Sequence, residues 1–250
     1  QALFYDGVRA ADPDILERAK VQTDAALELD PWNTHALWTK GFIFLYEHVY
    51  RWDEDPGAKL ASAMEIADRL IHIDPSNAKS YIVRALAHQY HREFDAAIDD
   101  HRRAVTLNPN LALNYFMMSW SEAVAGLASE AREHAQTALR LSPRDTDIWL
   151  GEGYGALALA SFIEGDLVEA MKWARLAIQM HGNMPVRQAL MIACNAYLGD
   201  LQAAEHYAES LAASVPGFIP GVLSGDIEVC KMPEHNALLV DGLRKAGLSA

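Results

Sequence analysis

Three prolines, Pro75, Pro109 and Pro143, stand 34 residues apart, each preceded by a small polar residue, Asp74, Asn108 and Ser142. Proline has no N–H to donate and pushes the residue before it out of helical geometry, so each pair marks a helix end. Six residues after each proline comes a large aromatic (Tyr81, Tyr115, Trp149), and alanines recur at Ala97 and Ala131 and at Ala104 and Ala138. A period of this length holds two helical segments and a turn. One such unit cannot bury its own apolar face, so neighbours must stack on one another. The spacing therefore predicts an all-α array.

The pattern of prolines, aromatics and paired alanines resembles the tetratricopeptide repeat (TPR), whose first helix carries large, small and aromatic positions and whose second carries alanines. The resemblance implies a right-handed α-solenoid of about six TPR helix pairs with a C-terminal capping helix. It covers nearly the whole chain as a single array, with repeats at about 1–33, 34–77, 78–111, 112–145, 146–184 and 185–218, and a connector and cap at 219–250.

In repeat one, Gly7 takes the small position, Asp12-Pro13 opens a second helix over 14–29, and Ala19 and Ala26 share a face. In repeat two, Asn33 or Thr34 caps the first helix, with Leu37, Gly41 and Phe44 on the large, small and aromatic positions. The ten extra residues of this repeat lie in 47–59, where 51–57 reads as a charged loop before a helix over 58–73 with Ala63 on its small position. Asn77 and Asp145 are expected N-caps, and Gly126 and Gly199 are expected at turns that want a positive φ. Repeat five is lengthened, turning at Gly165-Asp166, and residues 181–183 replace its acid–proline ending. Val215-Pro216 closes repeat six, where Ala204 is the small residue. Pro220 and Gly221 should then stop the pattern, leaving 222–233 irregular or weakly helical. A last helix over 234–246, with Leu238, Leu239 and Leu243 on one side, should cover the open end of the array.

Charge narrows the function. With 34 acidic against 21 basic residues the net charge is −13, which disfavours a nucleic-acid groove or an anionic membrane surface. Mean hydropathy is near zero, and no apolar run approaches membrane-spanning length. Cys194 and Cys230 read as reduced, buried thiols of a reducing compartment, and the expected location is cytoplasmic. Opening on Gln1, the chain reads as a fragment or processed product.

Two motifs suggest chemistry and yield to packing. Gly151, Gly153 and Gly155 lack the strand and lysine of a phosphate loop, and Gly153 falls on a small repeat position. His88, His91 and His101 could in principle hold a metal, but His88 and His101 fall on packing positions. Asp99-Asp100 and the acids at 53–55 read as solvated. The chain is expected to be no enzyme, with neither a metal nor a cofactor.

TPR first helices line a concave surface, and the resemblance assigns their inward positions. These are Trp38, Phe42 and Tyr46 in repeat two; Leu86, Gln89 and Tyr90 in three; Phe116 and Trp120 in four. Repeat five supplies Leu150, Tyr154 and Leu157, and repeat six Tyr197. The basic clamp by which some TPR proteins hold a carboxylate is missing apart from Lys79. These rings either form a groove for a protein or peptide partner or cover one another as packing. The expected function is a protein–protein interaction scaffold or regulatory module; the alternative is a small-ligand sensor with an aromatic groove. A narrower resemblance rests on the lengthened acidic repeat, residues 141–145, and the 242–248 ending. It is to the C-terminal repeat region of bacterial regulators bearing a class III nucleotide cyclase or winged-helix domain.

Overall fold

The computed structural model describes residues 2–10, 12–50, 55–143, 149–181 and 184–249. Residues 51–54 of the expected charged loop at 51–57, the expected cap Asp145 and residues 182–183 of the ending at 181–183 lie outside the described residues.

The described residues fold into helices and turns, and two compact units form, Gln1–Met118 and Ser119–Ala250. In the first unit α1 (Ala2–Ala10) pairs with α2 (Pro13–Leu29), α3 (Thr34–Tyr50) with α4 (Pro56–Ile73), and α5 (Ala78–Tyr90) with α6 (Phe94–Leu107). The unit boundary falls inside α7 (Ala112–Ala125). The second unit continues with α8 (Ala128–Leu141), α9 (Leu150–Ile163), α10 (Leu167–His181), α11 (Pro185–Tyr197) and α12 (Leu201–Ser214). It ends in α13 (Phe218–Ser224) and α14 (Pro233–Lys245).

The helix ends follow local chemistry. Asp30, Asp74, Asn108, Ser142 and Val215 each close a helix with φ between −133° and −146° and ψ between 77° and 93°. All five precede a proline, which excludes the helical conformation there. At the starts, carboxylate and amide oxygens accept from backbone N–H groups the helix leaves unpaired. Asp12 Oδ1 accepts from Asp14 and Ile15, Asn33 from Ala36, Asn77 from Lys79 and Asp200 from Ala203.

The turn inside each pair recurs as well. Gly126, Gly165 and Gly199 adopt φ of 88°, 84° and 82°, and Arg92 holds the equivalent turn at φ 65° without being glycine. The paired alanines are fully buried: Ala63, Ala97, Ala104, Ala131, Ala138 and Ala204 have no accessible surface. Their small side chains let adjacent helices approach, as at Gly41, where a Cβ would stand 2.8 Å from Val83 Cγ1.

Three expectations are corrected. Asp100, expected on a solvated face, is buried and bonded to Arg84, and residues 56–57, expected in the charged loop, open α4. Pro220 does not prevent a helix, because α13 forms with Pro220 at its third position. A first-turn N–H has no intrahelical partner to lose, so proline is tolerated there. Gly225, at φ 86°, then ends this short helix.

Candidate interaction surface

In the first unit the positions expected to face inward lie on an aromatic stripe. Trp38, Phe42, Tyr46 and Tyr50 recur every fourth residue along α3 and so share one face. Trp38 and Phe42 stand 4.5 Å apart between centroids, and Tyr46 and Tyr50 6.3 Å. Onto this stripe α1 lays Phe4, which meets Trp38, Phe42 and Tyr46 at 6.1–6.2 Å in edge-to-face geometry. All five rings are buried. Lys79 Nζ lies 5.5 Å from the Trp38 ring, a cation–π contact in place of a carboxylate clamp. Phe116 is buried, whereas Tyr90 is half-buried with its ring 5.3 Å from His48.

The polar neighbours of α5 are mutually engaged. Arg84 grips Asp100 with two bonds of 2.7 Å, and this raises the guanidinium further above its ordinary value. His88 Nδ1 lies 2.5 Å from Glu93, and His88 Nε2 3.9 Å from Asp100. His101 is fully buried, and burial alone pushes its pKa down to about 3, so it packs as a neutral ring. Among the described residues no group of three or more His, Cys, Asp or Glu is placed to hold a metal.

In the second unit Trp120 on α7 is buried. Along α9 every residue from Leu150 to Phe162 is buried except Tyr154. That ring stacks on Trp173 of α10 at 5.7 Å and 16°, and Lys172 Nζ stands 4.3 Å above the same indole. The glycine run at 151–155 is thus helical, as its repeat position predicts. Tyr197, at the end of α11, is covered by α14. Its hydroxyl proton is shared between the Leu238 carbonyl at 2.9 Å and Asp241 Oδ2 at 2.8 Å. Burial first, and then the Asp241 carboxylate, raise the phenol well above its ordinary value.

The eight aromatic positions thus divide. Trp38, Phe42, Tyr46, Phe116 and Trp120 are buried rings, whereas Tyr90, Tyr154 and Tyr197 keep partial access to solvent. Sequence reasoning missed Trp32, which is 63% exposed beside Pro31 with the Arg69 guanidinium 5.7 Å from its ring. A tryptophan in a proline turn, outside either helix of a pair, was the available signal. Cys194 and Cys230 are both buried, and burial raises the Cys194 pKa to about 12.

Neither a family model nor a curated protein sequence matches the chain. Solved structures do. The Cut9 hetero-tetramer with Hcn1 superposes at a TM-score of 0.66 with 14% identity, over 97% of this chain and 44% of that one. A TPR protein of Thermus thermophilus, TTC0263, matches at 0.56 with 13% identity, over 82% and 99% of the two chains. The type IV pilus biogenesis factor PilW matches at 0.55 with 18% identity, over 81% and 87%. The fold is the tetratricopeptide repeat. This chain spans less than half of the Cut9-complex chain that it resembles, and at these identities the likeness concerns the TPR fold alone. No helix among the described residues is long and apolar enough to cross a membrane.

Proposed function

We propose that this TPR chain is a protein–protein interaction scaffold that takes a partner segment against the inward faces of its first helices. The observation that carries the reading is Tyr154. It is the one half-buried residue among the buried residues from Leu150 to Phe162, and its ring stacks on Trp173. A fixed tyrosine of this kind offers apolar area and a hydroxyl at little entropic cost, the usual make-up of an interface anchor. Tyr90 has the same half-buried standing on α5. Of the eight expected positions Trp38, Phe42, Tyr46, Phe116 and Trp120 are buried, and Tyr197 is the third ring that keeps partial access to solvent. The net charge of −13 favours an apolar or basic partner segment. The Cut9 structure, a hetero-tetramer with Hcn1, is a precedent for assembly on this fold. The same reading places the chain as a regulatory region of a larger signalling or transcriptional regulator in the cytoplasm, with no cofactor of its own.

The test is affinity capture followed by titration of the recovered protein against wild type, Tyr154→Ala and Tyr90→Ala. Loss of about tenfold in affinity, or roughly 1.4 kcal/mol, with unchanged helicity and melting is expected for an anchor. Equal affinities across the three proteins would refute the reading. Trp120→Ala serves as the contrasting variant, since truncating a buried ring should lower stability by about 3–5 kcal/mol.

A further inference from the structure

The terminal helix α14 does more than close an end, because of where it packs. It lies on α11, the first helix of its pair, and not on the second helix α12. It comes close at Gly242, where a Cβ would stand 2.5 Å from Ala193 Cβ, 2.9 Å from Ala193 Cα and 3.0 Å from Tyr197 Cε2. Only glycine fits that crossing. One residue earlier, Asp241 receives the Tyr197 hydroxyl, and Lys245 Nζ stands 5.7 Å from the Tyr197 ring. At the other end, the Lys231 N–H donates to the Val124 carbonyl at 2.8 Å, and Met232 and His235 close over Gly126 at the end of α7. The segment from Lys231 to Lys245 thus runs from the end of one first helix, α7, to the end of another, α11. Ala193 lies one turn before Tyr197 on α11 and so shares its side of the helix, the side that the repeat pattern assigns to the inward face.

The hold is slight for a helix. Of the thirteen residues of α14, the buried ones are Leu239, Gly242 and Leu243, whereas eleven of the thirteen in α11 are buried. No side chain caps the start of α14. The preceding loop is nonetheless shaped on its own, since Asn236 accepts from the Cys230 N–H and donates to the Cys230 carbonyl, each at 2.8 Å.

We propose that α14 is a built-in occupant of the inward face of the second unit, exchangeable for a partner helix that carries a glycine preceded by a carboxylate. The proposal rests on the interaction-scaffold reading and deepens it. The glycine meets Ala193, the carboxylate takes the Tyr197 hydroxyl, and the flanking apolar residues replace Leu239 and Leu243. Such a partner competes with α14, so its apparent affinity falls by the fraction of chains in which the face is open.

The probe is a fluorescent peptide of residues 231–248, titrated into the full chain and followed by anisotropy, with amide exchange of α14 read in parallel. Gly242→Leu in the protein should lift α14, speed its exchange and tighten peptide binding about tenfold, as expected if the face is open in about one wild-type chain in ten. Asp241→Ala should act in the same direction but less, about threefold, without steric insult to the fold. A peptide that itself carries G242L should not bind. Equal peptide affinity for wild type and both variants, or peptide binding indifferent to that glycine, would overturn the proposal. So would light scattering showing wild-type dimers that Gly242→Leu converts to monomers, because α14 would then belong to a second copy. The two readings fail separately. A captured partner indifferent to Tyr154→Ala removes the scaffold reading, whereas peptide affinity indifferent to Gly242→Leu removes the exchange.

Discussion

Arg187 Nη2 on α11 lies 2.9 Å from Glu152 Oε2 on α9, and both side chains are closed off from water. Gly155, one turn along α9, leaves the room: a Cβ there would stand 2.9 Å from Arg187 Nε. Two charges out of water hold each other with little net gain, but removing one leaves the other uncompensated. Glu152→Ala should therefore lower stability by about 3–5 kcal/mol. Replacing the pair together, Glu152→Leu with Arg187→Met, should recover most of it. Denaturant titrations of the three proteins check this; a mild single mutant would show that the pair is not closed off.

Phe4 gives a second expectation. Its ring is fully buried against Trp38, Phe42 and Tyr46, although α1 has only nine residues. Phe4→Ala should cost about 3–5 kcal/mol and shift tryptophan emission to the red as the stripe meets water. An unshifted spectrum with unchanged melting would place the hold of α1 elsewhere.

His101 is expected to contribute acid sensitivity. Its folded pKa of about 3 is below the ordinary histidine value of 6.5 because burial disfavours the charged form. Between those limits the unfolded chain binds the proton and the folded chain does not, so stability falls as pH drops from 6.5 toward 3. The slope from this group is about 1.4 kcal/mol per pH unit. Melting of His101→Gln across that range should flatten the dependence. A parallel decline in both proteins would assign the acid limb to the carboxylates.

His134 works in the opposite direction. Its Nδ1 lies 2.8 Å from Glu122, which is buried on α7, and this bond raises the histidine pKa. The stabilisation is complete below the unfolded value near 6.5 and is lost as pH rises through the raised folded value. His134→Asn should lose stability at pH 6 and lose much less at pH 9. Equal losses at both would mean that charge plays no part in the pair.

Arg92 carries backbone strain in the α5–α6 turn, where Gly126, Gly165 and Gly199 hold the equivalent place in later pairs. A left-handed conformation costs an ordinary residue about 1–2 kcal/mol. The gain from Arg92→Gly is partly offset by unfolded-state entropy, leaving a rise of under about 1 kcal/mol. Arg92→Val should be less stable than either, since a β-branched residue resists that conformation most. Thermal melts of the three would rank them.

Much of the fold was legible because its causes are local. A proline acts on the residue before it, which is why Asp74, Asn108 and Ser142 close helices where the period placed them. A turn needing positive φ selects glycine, as at Gly126 and Gly199, and a tight helix crossing selects alanine, as at Ala97 and Ala131. These preferences act over a few bonds and repeat with the period, so the chain states them openly. The candidate surface was legible only as a set of positions. Whether Trp38 or Trp120 faces solvent depends on which distant side chain comes to rest on it, and for Trp38 that is Phe4, 34 residues away. The Glu152–Arg187 pair and the docking of Gly242 on Ala193 join residues 35 and 49 apart, and no local pattern encodes them. Helix boundaries and turns follow from backbone preference within the sequence itself. Which rings are buried, and that α14 rests on α11, follow from the burial of apolar surface between remote segments, which only the packed tertiary structure decides.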